Sequence, residues 1–156
     1  MGTEIERKFL VVGSGWEDAP FKYIKQGYLS NDPDRTVRIR VMDSTAFITI
    51  KGRSKGITRA EFEYTIPHNE ALELLNMCTN QIICKKRFFV KVHGTTWEVD
   101  LFEGAHTGLV LAEVELTSEH QDFQKPQWLG KEVSEDHRFT NSYLSQNPFN
   151  PLHTDS

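Results

Sequence analysis

The sequence predicts an α+β protein that is mainly β: an eight-stranded antiparallel sheet closed into a barrel around a charged interior, with a few short helices packed outside. Three observations lead to this fold class. Eight segments have the composition and length of strands. Short turn sequences separate most of them, which favours an antiparallel meander. Charged residues recur at two-residue spacing within the strands, so they lie on one face of the sheet.

The strand signals follow one another with recognisable breaks between them. Asn31-Asp32-Pro33-Asp34 separates the second strand from the third, Met42-Asp43-Ser44 closes a tight hairpin, and His93-Gly94 is typical of another hairpin turn. The segment 52–56 is predicted to be a mobile basic loop. Strands are predicted at 3–12, 23–30, 36–42, 45–51, 58–66, 81–92, 95–102 and 109–117.

Helices are predicted at three places. Residues 68–78 carry an amphipathic apolar stripe directly after Pro67. Ser118-Glu119-His120-Gln121 has the form of a capping box, which predicts a helix start. A further helical turn is predicted from Thr140 to Ser145. Residues 1–146 are therefore expected to form a single domain, followed by a flexible tail at 147–156.

The charge pattern within the strands begins in Glu4-Ile5-Glu6-Arg7-Lys8-Phe9. Glu4, Glu6 and Lys8 share one face, while Ile5 and Phe9 point to the other. The same alternation recurs along the chain, with acidic and basic members in nearly equal number. The acidic members are Glu4, Glu6, Glu61, Glu63, Glu98, Asp100, Glu113 and Glu115. The basic members are Lys8, Arg38, Arg40, Lys51, Arg59, Lys85 and Arg87.

An ordinary sheet with one solvated face would also carry charges at this spacing. The repetition, and the presence of Asp100 in mid-strand where aspartate is disfavoured, favour a different interpretation. A barrel of about eight strands is just wide enough to hold side chains or one small ligand. The charged face is therefore predicted to line the inside of the barrel.

Composition excludes several classes of protein. A chain of 156 residues with a net charge of −4 lacks the basic excess of most nucleic-acid-binding proteins. Two cysteines are too few for a disulfide framework. No signal-peptide pattern opens the chain, and no stretch approaches the roughly 20 apolar residues of a membrane helix. We expect a soluble cytoplasmic protein with no nucleic-acid or membrane partner.

A triphosphate bound together with a divalent cation would explain why both signs of charge line the interior. Arginine grips phosphate with paired donors and lysine acts as a point charge. Carboxylates would repel such a ligand unless Mg²⁺ or Mn²⁺ lay between them, and both ions favour oxygen ligands. The alternative is a purely structural network of ion pairs, which is unfavourable in a dry interior because buried charges are costly.

These residues resemble the CYTH domain family, also called triphosphate tunnel metalloenzymes. The resemblance begins with Glu4-Ile5-Glu6-Arg7-Lys8, which matches the family's ExExK signature, and covers about residues 3–145. It is closest to the short bacterial inorganic triphosphatases. The further matching motifs are Gln26-Gly27-Tyr28-Leu29, Arg38-x-Arg40, Thr49-Ile50-Lys51, Arg59-x-Glu61-x-Glu63, Lys85-x-Arg87, Glu98-x-Asp100, Ala112-Glu113-Val114-Glu115 and 132–139.

The resemblance implies an eight-stranded tunnel that hydrolyses a triphosphate with Mg²⁺ or Mn²⁺, most simply tripolyphosphate to pyrophosphate and phosphate. The implied metal-facing carboxylates are Glu4, Glu6, Glu113 and Glu115. Glu61, Glu63 and Asp100 are implied to bind a second metal or to orient basic residues. The implied phosphate-binding residues are Lys8, Arg38, Arg40, Lys51, Arg59, Lys85 and Arg87, the last two with catalytic roles.

Tyr28 matches the family position of a proton acceptor. An ordinary tyrosine has a pKa of about 10, so such a role would need neighbouring cations. A tunnel carboxylate or a metal-polarised water is the alternative base, and a simple wall aromatic is the alternative role for Tyr28.

The sequence departs from the family pattern near its end. His137 stands where the family often has lysine, and Phe139 where it often has tyrosine. Asp136 and Arg138 are retained. They could close one tunnel mouth or form a helix-end salt bridge.

Other functions remain open at this level. A class IV type adenylate cyclase shares the tunnel but expels pyrophosphate from ATP, and a nucleoside or thiamine triphosphatase is a second enzyme alternative. A polyphosphate or nucleotide sensor without catalysis is the alternative from a different class, although anion binding alone would not need so many carboxylates. Exposed outer aromatic residues would permit a homodimer.

Overall fold

A ring of eight antiparallel strands forms the centre of the structure, a computed structural model that describes residues 2–154. The strands are β1 (Gly2–Val11), β2 (Phe21–Asp32), β3 (Arg35–Met42), β4 (Thr45–Gly52), β5 (Thr58–Thr65), β6 (Ile83–Val92), β7 (Thr95–Phe102), β8 (Val110–Glu115) and the short β9 (Leu129–Glu132). The eight predicted strands are confirmed, with ends shifted by a few residues, and the closed barrel is confirmed with them.

The strand order explains how the barrel closes. Neighbours run β5-β4-β3-β2-β6-β7-β8-β1, and β1 pairs back onto β5. The meander holds within β2–β5 and within β6–β8, whereas β2–β6 and β1–β8 pair across the chain. β1 uses Gly2–Ile5 against β5 and Glu6–Leu10 against β8. The first strand is therefore the seam of the barrel.

Strand β9 was not among the predicted strands. It is only four residues long and pairs with β1 at Phe9 and Val11, on the edge that β5 has left. Between the part of β1 that pairs with β5 and the part that pairs with β9, backbone N–H groups of β1 donate hydrogen bonds to residues outside the named strands. The Glu6 N–H donates to the Ile57 carbonyl at 3.3 Å, and the Lys8 N–H donates to Ser134 Oγ at 2.9 Å.

The outer face of the barrel is covered on two sides. Phe9, Trp97 and Trp128 belong to a buried aromatic cluster beneath the chain that follows β8. On the opposite side, helix α1 (His68–Leu75) packs Ala71 and Leu75 against β3 and β4. A Cβ at position 27 would lie 2.6 Å from Ile82 Cδ1, so the glycine allows the segment after α1 to approach β2 closely.

One end of the barrel interior is filled by apolar side chains. Leu10, Ile83, Phe102 and Leu111 come from the strands, and Phe139 packs onto them from the carboxyl-terminal region. Helix α2 (Asn141–Leu144) completes this cluster with the buried Leu144. The apolar cluster confines the charged part of the interior to the remainder of the barrel.

Of the three predicted helices, one is shorter than predicted, one is confirmed and one is wrong. α1 ends at Leu75, earlier than predicted, and the helical turn predicted at 140–145 is confirmed as α2, with Thr140 Oγ1 accepting from the Tyr143 N–H at 3.2 Å. The helix predicted at Ser118 is wrong. Gln121 instead accepts from the N–H and hydroxyl of Thr117, and only a single turn forms. Packing of the partly buried Phe123 ring against Trp97 holds the following chain in a non-helical path.

Within the described residues, the tail continues as a short 3₁₀ turn at Pro151–Thr154, and the Phe149 N–H donates to the Ala105 carbonyl at 3.2 Å. Flexibility of 147–156 stays a prediction, and residues 155–156 lie outside the described part. No helix between residues 2 and 154 is long and apolar enough to cross a membrane.

Candidate active site: a charged tunnel

Cross-strand pairing turns the alternating charged residues toward one another inside the barrel. Arg38 lies opposite Tyr28, Lys51 opposite Glu61, and Glu113 opposite Lys8. Residues that pair directly across an antiparallel sheet share a face. The alternation predicted from sequence therefore produces a charged tunnel surface.

The tunnel consists of two connected cavities that share Glu4, Glu6, Arg38, Lys51 and Asn141. The first also contains the side chains of Lys8, Tyr28, Thr36, Thr49, Arg59, Ser134, Thr140 and Ser142. The second also contains Arg40, Met42, Glu61, Glu63, Arg87, Glu98, Glu113 and Glu115. All of the site residues predicted from sequence line one or both cavities, except Lys85 and Asp100.

Lys85 and Asp100 lie beneath the lining and are fully buried. Asp100 Oδ1 accepts from Arg87 Nε at 2.8 Å, and Oδ2 accepts from Arg87 Nη2 at 2.9 Å and from Lys85 Nζ at 2.7 Å. Burial alone would raise the pKa of Asp100, but Arg87 and Lys85 lower it to about 2. Burial, together with Arg87 and Arg40, lowers the pKa of Lys85 to about 7 although Asp100 opposes this. Both carboxylate oxygens are engaged, which favours an orienting role for Asp100 over metal binding.

A second cluster lies where β1 meets β5. Lys51 Nζ is 3.0 Å from both carboxylate oxygens of Glu4 and 3.5 Å from Glu61 Oε2. Burial acts to raise the pKa of Glu4, but the lysine lowers it overall. Burial and the neighbouring Glu4 raise the pKa of Glu61. The single ammonium group of Lys51 therefore forms ion pairs with two carboxylates, those of Glu4 and Glu61.

A third cluster joins β1 to β8. Glu113 Oε1 lies 3.9 Å from Lys8 Nζ and 3.7 Å from Arg87 Nη2, and these cations hold the pKa of Glu113 well below its ordinary value despite burial. Burial, with Glu113 and Glu4 nearby, raises the pKa of Glu6 well above its ordinary value. The two acids of this cluster thus differ in ionisation: Glu113 is held as a carboxylate by its cations, whereas Glu6 favours its protonated form.

Within residues 2–154, no three side chains of histidine, cysteine, aspartate or glutamate converge closely enough to enclose an ion. The tunnel carboxylates are instead gathered in pairs. Glu6 faces Glu115 and Glu98 faces Glu113 across the strands. The donor set is chemically suited to a hard cation, which would relieve the repulsion between these facing acids.

Arg38 is held by residues of β4 and β5. Its Nη2 donates to Thr49 Oγ1 at 3.1 Å and lies 3.5 Å from Glu63 Oε2, while the Thr49 hydroxyl donates to Glu63 at 2.8 Å. Sequence reasoning did not select Thr49 as a site residue, although its inward position in β4 could have identified it. Arg59 Nε donates to the Gly52 carbonyl at 3.0 Å.

The carboxyl-terminal residues of the tunnel were also missed. Ser134, Thr140, Asn141 and Ser142 lie in loops and a short helix, where no two-residue alternation marks them. Lys8 is tied to the same region, because its Nζ donates to the Phe139 carbonyl at 3.1 Å.

Asp136 and Arg138 form the helix-end salt bridge that the sequence left open. The Arg138 guanidinium approaches Asp136 Oδ2 to 2.6 Å, and the same carboxylate accepts from the Arg138 N–H at 3.1 Å. Arg138 lowers the pKa of Asp136 to about 2. Neither residue lines the two tunnel cavities.

Known proteins resemble this chain along nearly its whole length. The CYTH domain matches residues 2–145. A protein of Acetivibrio thermocellus named inorganic triphosphatase is 46% identical over 151 residues, which cover 96% of this chain and 97% of the relative. A Nitrosomonas europaea protein of the same name is 35% identical over 147 residues, covering 92% and 97%. A crystal structure described as an inorganic triphosphatase has a TM-score of 0.67 at 33% identity, covering 92% and 97%.

Proposed function

This chain belongs to the CYTH domain family, and from that membership we propose that it is a metal-dependent triphosphatase that converts inorganic tripolyphosphate to pyrophosphate and phosphate. The observation that carries the proposal is the tunnel itself, in which buried guanidinium and ammonium groups face paired carboxylates. The names of the two relatives support the choice of inorganic tripolyphosphate as substrate.

The cations are proposed to hold the phosphate chain. Arg38, Arg40 and Arg87 are almost fully buried and line the second cavity. Lys8, Lys51 and Arg59 line the first cavity. Charge-assisted bonds to phosphate are stronger in such a desolvated place than in water. Lys85 does not line the cavity. It donates a hydrogen bond to Asp100, which in turn holds Arg87 in position.

The acids are proposed to hold Mg²⁺ or Mn²⁺. Glu4, Glu6, Glu113 and Glu115 fit this role, because all four line the second cavity and the pKa of Glu6 and of Glu115 is raised by burial and by neighbouring carboxylates. Glu61 and Glu63 extend the acidic surface along β5. When bound, the ion would polarise a phosphoryl oxygen and help to orient water.

Tyr28 is proposed as the proton acceptor. It is only 6% exposed, lines the first cavity, and lies opposite Arg38 across the β2–β3 ladder. Lys8 and Arg38 open into the same cavity, so an anion held there and the phenol would share one compartment. A tunnel carboxylate is the competing base.

We also propose that the protein acts in the cytoplasm, without a nucleic-acid or membrane partner. The net charge of −4 and the two free cysteines support this placement. A homodimer is supported by the apolar outer surface of β5, where Phe62 is 46% and Tyr64 57% exposed.

A product analysis tests the proposed activity. The protein is incubated with tripolyphosphate, ATP or thiamine triphosphate, each with Mg²⁺ or Mn²⁺, and products are separated by ion chromatography and ³¹P NMR. We expect pyrophosphate and phosphate from tripolyphosphate at the highest rate. Formation of cyclic AMP from ATP would identify a cyclase instead, and tight binding without any turnover would identify a sensor.

A further inference from the structure

Arg40 differs from the other buried tunnel cations in its surroundings. The half-buried Arg59 is held by the Gly52 backbone carbonyl, whereas Lys8, Arg38, Lys51, Lys85 and Arg87 each have a carboxylate oxygen within 4.0 Å. Among residues 2–154, Arg40 has none, although it is only 7% exposed. Burial, with Arg38 and Arg87 nearby, lowers the pKa of Arg40 to about 9, as expected for a cation whose charge is poorly compensated.

The side chain that holds Arg40 is a neutral amide. Gln26 lies directly opposite Arg40 in the β2–β3 ladder, and its Oε1 accepts from Arg40 Nε at 2.9 Å. The orientation of the amide follows from chemistry, because arginine can only donate and the oxygen must therefore face it. The guanidinium is fixed through Nε, which leaves its two terminal nitrogens available for an anion.

Gln26 is itself completely buried, and its Nε2 has no hydrogen-bond partner in the described part of the chain. A buried donor without an acceptor costs stability, so this arrangement calls for a functional explanation. A glutamate at this position would satisfy Arg40 more strongly, as Asp100 does for Arg87. It would also cancel the charge that Arg40 offers to a ligand.

We infer that Gln26 is a positioning residue that aligns Arg40 while leaving its positive charge uncompensated, so that Arg40 remains available to a polyphosphate anion. This role rests on the proposed function for the chemical class of the ligand. Gln26 therefore contributes in two ways: its amide oxygen holds Arg40 by a hydrogen bond, and its lack of charge leaves the positive charge of Arg40 uncompensated.

The decisive variant is Gln26→Glu, compared with Gln26→Met. Glutamate keeps an acceptor at Arg40 Nε and adds a partner charge, so we expect thermal stability equal to or above that of the wild-type protein. Binding of tripolyphosphate, measured by calorimetry with a non-hydrolysable analogue in the presence of Mg²⁺, should weaken by about tenfold or more in this variant. Gln26→Met removes the acceptor without adding charge, and should weaken binding less while lowering stability.

Gln81→Glu is the matched control, because it adds the same charge at an exposed position outside the tunnel. It should bind tripolyphosphate as the wild-type protein does. A double-mutant cycle of Gln26→Met with Arg40→Met completes the test: if Gln26 acts through Arg40, Gln26→Met should have little further effect on binding in the Arg40→Met background.

Several results would overturn the inference. Unchanged tripolyphosphate binding in Gln26→Glu would do so, as would a Gln26→Glu variant that loses both stability and binding, or an undiminished effect of Gln26→Met in the Arg40→Met background. The proposed function is tested separately by wild-type turnover. A wild-type protein that binds tripolyphosphate but does not hydrolyse it would contradict the proposed function while leaving the inference supported or refuted by calorimetry alone.

Discussion

Arg87 and Asp100 form a two-point ion pair at the base of the tunnel, with Nε to Oδ1 at 2.8 Å and Nη2 to Oδ2 at 2.9 Å. The pair is fixed by the β6–β7 register, in which the two residues lie directly opposite each other. Lys85 shares the same carboxylate. The position of a tunnel-lining guanidinium thus depends on an acid that does not itself reach the cavity.

Replacing Asp100 by asparagine should therefore affect both stability and activity. Arg87 and Lys85 would remain buried without their anion, and breaking a buried pair in this way costs about 3–5 kcal/mol in the free energy of unfolding. Chemical denaturation followed by circular dichroism measures the loss. Asp122→Asn, an exposed change outside the tunnel, should stay within about 0.5 kcal/mol of the wild-type protein. Equal stability of the two variants would contradict the role assigned to Asp100.

Tyr28→Phe should lower the maximal rate of tripolyphosphate hydrolysis by at least roughly tenfold, the usual range for losing a general base, with little change in substrate affinity. The two parameters are read from steady-state kinetics. Tyr23→Phe is the control, because Tyr23 lies on the same strand but is 54% exposed and outside both cavities. Near-normal turnover of Tyr28→Phe would remove the phenol from the mechanism.

Removing the metal with EDTA should abolish turnover, and an excess of Mg²⁺ or Mn²⁺ should restore it. Because burial and its acidic neighbours raise the pKa of Glu6, this carboxyl keeps its proton to a higher pH than an ordinary glutamate. Metal affinity should accordingly increase as the pH rises and Glu6 loses its proton. Glu6→Gln should weaken this dependence and require a higher metal concentration, whereas the exposed Glu70→Gln on α1 should do neither. Turnover that persists in EDTA would refute a metal requirement.

The Asp136–Arg138 pair predicts how one contribution to stability changes in acid. The folded-state pKa of Asp136 is lowered to about 2, from an ordinary value of 3.8. A lowered pKa means that the unfolded chain binds the proton first, so the contribution is complete above about pH 4 and is lost as the pH falls toward 2. The melting temperature of Asp136→Asn should lie below that of the wild-type protein at neutral pH and converge with it near pH 2. A constant difference across this range would show that the charge is not involved.

Much of the barrel could be predicted because the sequence pattern that identifies each strand lies within that strand. The alternation of charged and apolar residues within each strand identifies both the strand and its inward face, so Glu4, Arg38 and Glu113 could be assigned to one surface. The hairpin at His93-Gly94 could be predicted for the same reason, since both residues have the positive φ that such turns use.

The remainder depends on contacts between distant segments. β9 forms because β5 leaves part of the β1 edge free, and no local sequence pattern predicts this. The capping pattern at Ser118 is outweighed by the packing of Phe123 against Trp97. Within the site, alternation gives the side on which Asp100 lies but not its depth below the cavity. The importance of Gln26 follows only from what surrounds Arg40.

The double pairing of β1 has a consequence for how the protein is made. The part of β1 that carries Glu6 and Lys8 is synthesised about a hundred residues before its partner residues Leu111–Glu115. Until these β8 residues are made, Glu6 and Lys8 have no closed tunnel to line, and this part of the β1 edge stays open to other chains. The charged tunnel and the closed seam therefore form in the same event, after β8 has been synthesised.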